Sequence, residues 1–337
     1  MRIIIDGMGG DNAPAEIVKG CVEAAKEISH EIWIVGREDD INSELKKYKY
    51  NKEQIKVIHA PEVIENCDAP VKAVRSKKES SMVIGLNLIK SGSGDVFISG
   101  GNTGALMAGG LFILGRIPGI DRPALASPYP IMGRGMSLLI DAGANAECKP
   151  NNLLEFGIMG SIYMEKVFDM EKPRVGLANI GAEETKGTTV VKAAHQMLKT
   201  SGLNFVGNVE AHEVPYGVCD VIVCDGFVGN TILKLTEGFA LNVLGFVKKK
   251  FTEGIKSKMG AILLLDKVKE IKGAFDYSNY GGAPILGVKG PVVKIHGSSN
   301  ANAVKHGILK AIPFAEGKVV QIVEEAVLAL EEAESGE

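Results

Sequence analysis

The chain has 337 residues, 41 of them glycine, and a formal net charge of −3. Average glycine usage is roughly 7%, and the excess here follows strand-like runs, as ligand-binding turns do and flexible linkers do not. The charge balance excludes broad nucleic-acid binding, which needs a basic face to displace counterions. The five scattered cysteines, Cys21, Cys67, Cys148, Cys219 and Cys224, read as reduced core residues rather than as a disulfide or zinc framework.

The length suits a single α/β domain over residues 1–337. Asp6 interrupts the first apolar run, so no signal peptide is expected, and no stretch reaches the roughly 20 apolar residues of a membrane span. A cytoplasmic protein is the expectation.

Residues 2–5 predict a buried strand opening into the turn DGMGGDNAP at 6–14. A helix follows to about residue 28, with Asp11 or Asn12 as cap and Pro14 in its first turn. The spacing of Gly7, Gly9 and Gly10 does not fit the dinucleotide fingerprint, so a nicotinamide cofactor is not expected. Strands are predicted at 32–35 and 55–58 around a polar helix at 43–48. A helix from about Val71 carries Lys72, Arg75, Lys77 and Lys78, either as a solvated face or as a docking surface for an acidic partner.

Residues 95–98 predict the central buried strand, with Gly100 to Gly104 as the turn at its C-terminal end and a helix from Ala105. Glycines without Cβ let backbone N–H groups approach a ligand, and the following helix points its positive end at the same spot. Gly101, Asn102 and Thr103 are therefore candidates for an anion cradle, against the alternative of a ligand-free turn.

Arg116 and Arg122 fall in a turn spanning 115–125, and a strand at 137–140 ends in a third glycine turn at 141–145. Pro150 starts a helix to about Val167. Strands at 175–180, 204–209 and 221–224 end in turns at 181–187, 210–212 and 225–230, with helices following from Thr188 and from about Asn230. This alternation predicts a doubly wound, mainly parallel, Rossmann-like sheet, with the polar turns gathered at the strands' C-terminal ends.

The helix from Thr231 carries an apolar stripe at Ile232, Leu235, Phe239, Val243, Val247, Phe251, Ile255 and Met259, beside Lys248, Lys249 and Lys250. That stripe reads as a core or dimer-contact face. With the apolar run 261–265 it also fits a surface-bound membrane anchor, so 231–275 is set apart as a protruding helical segment. Residues 280–287 and 290–294 predict a hairpin-like segment leading through His296 to a helix from Ala301. Pro313 is expected to break that helix, and an amphipathic helix closes the chain.

There is no G-x-S-x-G elbow, H-E-x-x-H pair or Walker lysine in the sequence. Instead, glycine loops carry Asn102, Asn145, Asn230, Lys186 and His296, groups that bind an anion and stabilise an oxyanion. Inorganic phosphate attacking a thioester needs little more. Plain structural readings stand beside these: Lys186 as a solvated lysine, Asn230 or Ser298 as helix caps, His296 as a structural histidine, and Asp6 and Asp225 as anchors of their own turns.

The turns at 6–14, 99–108, 179–187, 207–210, 225–234, 280–287 and 296–299, in this order, resemble the PlsX family of phosphate acyltransferases over nearly the whole chain. The resemblance implies an isocitrate/isopropylmalate-dehydrogenase-like sheet and a homodimer. It also implies transfer of a fatty acyl group from acyl carrier protein to inorganic phosphate, feeding a glycerol-phosphate acyltransferase in bacterial phospholipid synthesis. Lys186 and Asn230 are the catalytic residues it implies, with Gly101, Asn102, Thr103, Asp225, His296 and Ser298 binding phosphate or substrate. Peripheral membrane contact falls on Met259, Ile262, Leu263 and Leu264, and no metal or cofactor is implied. Gly7 stands where the family usually has alanine, and Ala211-His212-Glu213 where it tends to have Gly-Arg-Asp. A short-chain acyl coenzyme A phosphotransacylase and a non-catalytic membrane scaffold remain the alternatives.

Overall fold

A computed structural model describes residues 1–133, 135–254, 264 and 281–335. With strands numbered in chain order, a first group joins β1 (Arg2–Asp6), β2 (Glu31–Gly36), β3 (Ile55–His59), β4 (Val96–Ser99) and the late β11 (Val292–Lys294). They lie in the order β3-β2-β1-β4-β11, every pair parallel. The second group joins β6 (Gly135–Ile140), β7 (Val175–Asn179), β8 (Phe205–Glu210) and β9 (Val221–Val223) in the order β6-β9-β7-β8, again parallel.

Between the groups stand β10 (Ala283–Leu286) and β5 (Ala124–Ile131), each antiparallel to both neighbours. Direction therefore reverses three times from β11 to β6, and the two parallel groups run opposite ways. This corrects the expectation that all glycine turns share one edge: the turns after β1, β4 and β11 leave one edge of the sheet, and those after β6, β7 and β9 leave the other.

The strands read as expected because both faces are covered. In β1, Ile3 and Ile5 face a core shared with the helices Ala15–Ala25 and Ala301–Glu316, while Ile4 faces the helix Ser81–Lys90 with Phe97 and Leu86. A two-sided apolar run is what parallel strands require. Strand β5, ALASPYPI, is absent from the sequence reading because it holds two prolines. It pairs with β10 only through Ala124 and Leu125, so Pro128 and Pro130 lie beyond that pairing, where a missing N–H costs no ladder bond on the β10 side.

Several expected boundaries move. The helix after β1 is capped by Pro14, with no side-chain bond from Asp11 or Asn12. The polar helix lies at Glu38–Leu45, and the basic one ends at Ser76 before a second helix, Ser81–Lys90. Pro313 sits inside a helix that continues to Glu316. Asp225 and Asn300 cap the helices that follow them, so Asn230 and Ser298 are not caps.

The helix carrying the apolar stripe runs from Gly226 to Thr252, and only Gly226, Gly229 and Ala240 within it are buried. Leu235 and Phe239 are 70% and 69% exposed, so in the single chain this stripe is not core. Ile255, Met259, Ile262 and Leu263 lie outside the described residues, and Leu264 is exposed. Among the described residues no helix is long and apolar enough to cross a membrane.

Candidate active site

Three glycine turns from the first group close on one another, backbone to backbone. A Cβ on Gly100 would stand 2.7 Å from the Gly9 carbonyl, and one on Gly9 would stand 2.8 Å from the Gly101 nitrogen. Gly10 takes φ +117°, a conformation side chains rarely adopt, and its neighbour Asp11 donates its N–H to the Gly297 carbonyl at 2.8 Å. Beneath them the Ser99 hydroxyl donates to Asp6 Oδ2 at 2.6 Å and accepts the Gly101 N–H at 3.0 Å. Burial raises the Asp6 carboxyl above its ordinary value, with hydrogen bonds from Ser81, Ser99 and Met8 pulling partly back. Asp6 thus anchors its own turn and the next one.

Asn102 is spent on structure. Its Oδ1 caps the helix Thr103–Gly109 by accepting the Ala105 N–H, and its Nδ2 donates to the carbonyls of Glu65, Asn66 and Asp68. Thr103, the next residue, faces the cavity described below.

At the end of β11 stands Lys294, which the sequence reading passed over. Its Nζ donates to the Gly100 carbonyl at 3.1 Å and to the Ile295 carbonyl, holding the ammonium beside the central turn. Burial brings its pKa down to about 8, with Asp6 and Asp11 opposing the fall. A lysine there is half-buried, fixed and close to titrating, unlike a solvated surface lysine.

The second group contributes the turn at 141–145. The buried Asp141 carboxylate accepts N–H groups from Leu125, Gly143, Ala144 and Asn145 and the side-chain amide of Asn145, at 2.6–3.1 Å. This turn presses on Asn230: Gly143 has φ +133°, and a Cβ there would lie 3.4 Å from Asn230 Cβ. Asn230 in turn sits in the second turn of the helix Gly226–Thr252, whose cap Asp225 accepts the Val228 N–H at 2.8 Å.

The two sets of turns meet over the central antiparallel strands in a cavity of about 410 Å³. Thr103, Ser127, Asn230, Lys234, Glu237, Lys294, His296 and Ser299 supply its polar side chains, with Leu125, Pro128 and Leu233 as apolar walls. Lys234 is largely exposed and lies 3.9 Å from Glu237, whereas Lys294 is the cation held in place by backbone carbonyls. His296 Nδ1 lies 3.2 Å from the Ser298 N–H and 2.8 Å from its hydroxyl. A backbone N–H can only donate, so Nδ1 accepts and the ring proton sits on Nε2.

Of the residues singled out in the sequence, the structure brings Thr103, Asn230 and His296 into one cavity, with Ser298 bonded behind His296. Gly101 and Asn102 form the turn beside it, and Asp225 sets the start of the helix that carries Asn230. Lys186 is exposed in the turn after β7, outside the cavity's lining; its carbonyl accepts from Asn179 Nδ2 and its N–H donates to the Glu183 carbonyl. Cys224 is fully buried, and burial pushes its thiol well above the ordinary range, which removes it as a nucleophile. Cys67 is exposed rather than core. Among the described residues no cluster of metal-ligating side chains is found.

Residues 1–322 match the family described as "Fatty acid synthesis protein". A phosphate acyltransferase of Clostridioides difficile (strain 630) is 51% identical over 327 residues, covering 97% of this chain and 96% of that protein. Another, of Alkaliphilus oremlandii (strain OhILAs), is 54% identical over 330 residues, 98% of each chain. The chain belongs to the PlsX family of phosphate acyltransferases. It is thus an acyltransferase.

Among solved structures, a phosphotransacetylase from Streptococcus pyogenes superposes with a TM-score of 0.61 at 19% identity, covering 94% of both chains. A 4-hydroxythreonine-4-phosphate dehydrogenase from Klebsiella pneumoniae does so at 0.52 and 13%, covering 94% of this chain and 99% of that one. At these identities the likeness is one of fold, and it agrees with the Rossmann-like reading.

Proposed function

We propose that the protein transfers a fatty acyl group from acyl carrier protein to inorganic phosphate, giving acyl phosphate for phospholipid synthesis. The observation that carries this reading is the cavity itself: a fixed cation, a side-chain amide and a histidine N–H converge there, while the nearby cysteine is buried and inert. Such a site suits a nucleophile that arrives as an anion.

Phosphate sits against Lys294 and Thr103, and one of its oxygens attacks the thioester carbonyl. As that C–O bond forms, charge grows on the carbonyl oxygen, where the Asn230 amide and the His296 Nε2–H stabilise it. The C–S bond then breaks, the thiolate leaves with the carrier and takes a proton, and acyl phosphate remains. Lys186 is proposed as a second phosphate contact, brought in by its loop. No covalent enzyme intermediate is needed.

The acidic carrier docks on the helix Pro70–Ser76, where Lys72 and Arg75 are exposed. This helix abuts the turn that presents Thr103: a Cβ on Gly104 would meet Pro70 Cγ at 2.7 Å. Lys77 is not part of that surface, because it pairs with Asp68 at 2.6 Å. A homodimer, peripheral membrane contact through the segment after Thr252, and hand-over of acyl phosphate to a glycerol-phosphate acyltransferase complete the proposal.

The test is release of free carrier thiol from long-chain acyl carrier protein with and without phosphate. Phosphate-dependent release supports the reading. Release from acyl coenzyme A alone would select the short-chain phosphotransacylase, and silence with both would select the scaffold.

A further inference from the structure

Acyl transfer to phosphate moves a proton as well as an acyl group. Hydrogen phosphate and a thioester become acyl phosphate and a thiol: one C–O bond forms, the C–S bond breaks, and the proton lost by phosphate ends on sulfur. An alkyl thiolate is a strong base, since its thiol has an ordinary pKa of about 8.5, so its departure is helped by a group that can hand it that proton.

Most polar groups of the cavity cannot carry it. Lys294 is held as a donor to the Gly100 and Ile295 carbonyls. His296 accepts the Ser298 N–H at Nδ1, so its ring presents a donor and no lone pair. The Asn230 amide and the hydroxyls of Thr103, Ser127 and Ser299 do not ionise near neutral pH. Two buried carboxylates nearby, Asp6 and Asp141, do not line the cavity and are spent on their own turns.

Glu237 remains, the one carboxylate among the described residues that line the cavity. Its side chain is 17% exposed, and its contact with Lys234 is a loose 3.9 Å. Lys234 is itself 64% exposed, so that pair is weak and leaves the carboxylate available to a ligand.

The helix sets where Glu237 acts. Asn230, Leu233, Lys234 and Glu237 all line the cavity and are spaced by three and four, so they share one helix face. The amide and the carboxylate are rooted two turns apart, roughly 10 Å along the axis at about 1.5 Å per residue. Helical side chains lean toward the N-terminus, which tips the carboxylate back toward Asn230 and closes part of that gap. A thioester carbonyl at Asn230 therefore has its sulfur and the attacking phosphate within the span that ends at Glu237.

We propose that Glu237 is a catalytic residue that takes the proton of hydrogen phosphate and delivers it to the departing sulfur. As the C–O bond forms, the phosphate O–H grows more acidic and its proton passes to the carboxylate. As the C–S bond breaks, the carboxylic acid protonates sulfur, and Glu237 ends ionised as it began. The proposal rests on the acyl-transfer reading and supplies the route of its proton. It also makes Glu237 a selector of anions: hydrogen phosphate offers it an O–H, whereas sulfate, of similar shape and charge, offers only acceptor oxygens and is repelled.

The test compares octanoyl thioesters of acyl carrier protein and of thiophenol in wild type, Glu237→Gln and Glu237→Asp. Glu237→Gln should lower kcat for the carrier thioester by about 10²-fold or more, the usual scale of general acid–base catalysis. The thiophenol ester should lose far less, because an aryl thiolate departs without a proton. Glu237→Asp keeps a carboxylate and should lose less than Glu237→Gln on the carrier thioester. Equal losses on both esters, or no loss on either, would overturn the relay.

Calorimetry with inorganic phosphate and with sulfate reads the same residue without turnover. Wild type should bind phosphate about tenfold or more tighter than sulfate, the scale of one charge-assisted hydrogen bond. In Glu237→Gln the amide can donate to sulfate, and the preference should shrink; an unchanged preference would overturn the assignment. Phosphate-dependent thiol release by wild type, with neither ratio moved by Glu237→Gln, would sink the relay and leave acyl transfer standing. No such release from wild type would sink the acyl-transfer reading and the relay with it.

Discussion

Lys294 and Lys186 are the same residue type, each near the C-terminal end of a parallel strand beside a glycine turn, yet they face opposite edges of the sheet. Lys294 ends β11 in the first group, and its ammonium is tied to the Gly100 carbonyl inside the cavity. Lys186 follows β7 in the second group and is exposed. Strand order causes the difference: β11 borders the central antiparallel pair, whereas β7 lies beyond β6 and β9. What the contrast teaches is that a lysine's position in a glycine turn does not fix its role; how far its strand lies from the centre of the sheet does.

The largest expected effect lies on the residue that bridges the two groups. Asn230→Ala should lower kcat by about 10²–10³-fold, the usual cost of one oxyanion donor, with acyl-carrier KM little changed in steady-state assays. A rate near wild type would remove Asn230 from the reacting centre.

Next comes the turn that positions it. Gly143→Ala adds a Cβ at φ +133° against Asn230, and a displaced amide should cost roughly ten- to a hundredfold in kcat. Thermal unfolding and rate measured together would separate a displaced amide from a poorly folded variant.

The pH profile sharpens the comparison of the two lysines. Burial puts Lys294 at about 8, so its charge is present below that pH and lost above it. The kcat/KM for phosphate, which reports the free enzyme, should therefore fall as pH rises through about 8. Lys294→Arg keeps its charge and should abolish that limb, whereas Lys186→Arg should leave it in place; the opposite pattern would transfer the anion site to Lys186.

The smallest effect is on stability. Burial pushes Glu155, whose carboxylate accepts the Asp121 N–H at 3.0 Å, up to about 7. The folded state keeps a proton that the unfolded state has already lost, so this residue's contribution falls as pH rises from the ordinary carboxylate range to about 7, then levels off. Glu155→Gln should raise Tm at pH 8 by about 2 °C relative to wild type and leave it nearly unchanged at pH 5. A uniform shift at both pH values would argue against that ionisation.

Much of this was legible in the sequence. The strand before Ser99, the glycine turns at 6–10, 99–104 and 141–145, the helix from Pro150 and the candidacy of Thr103, Asn230 and His296 follow from local pattern, because glycine, proline and apolar periodicity act over a few residues. Lys294 was not legible: it ends a three-residue strand, and its partner carbonyl on Gly100 lies 194 residues away. Strand β5 was hidden by Pro128 and Pro130, and without β5 the reversal of the sheet cannot be seen. The stripe from Ile232 to Phe251 was visible as a pattern, but only the structure shows that Leu235 and Phe239 stand exposed rather than in the core.

The most direct test of the account is the steady-state dependence on each substrate in Lys294→Met. If phosphate rests on Lys294 in the cavity between the opposed groups, the KM for phosphate should rise by about tenfold or more, the loss expected for one charge-assisted hydrogen bond, while the KM for the acyl carrier thioester stays within about twofold. A phosphate KM equal to that of wild type would contradict it.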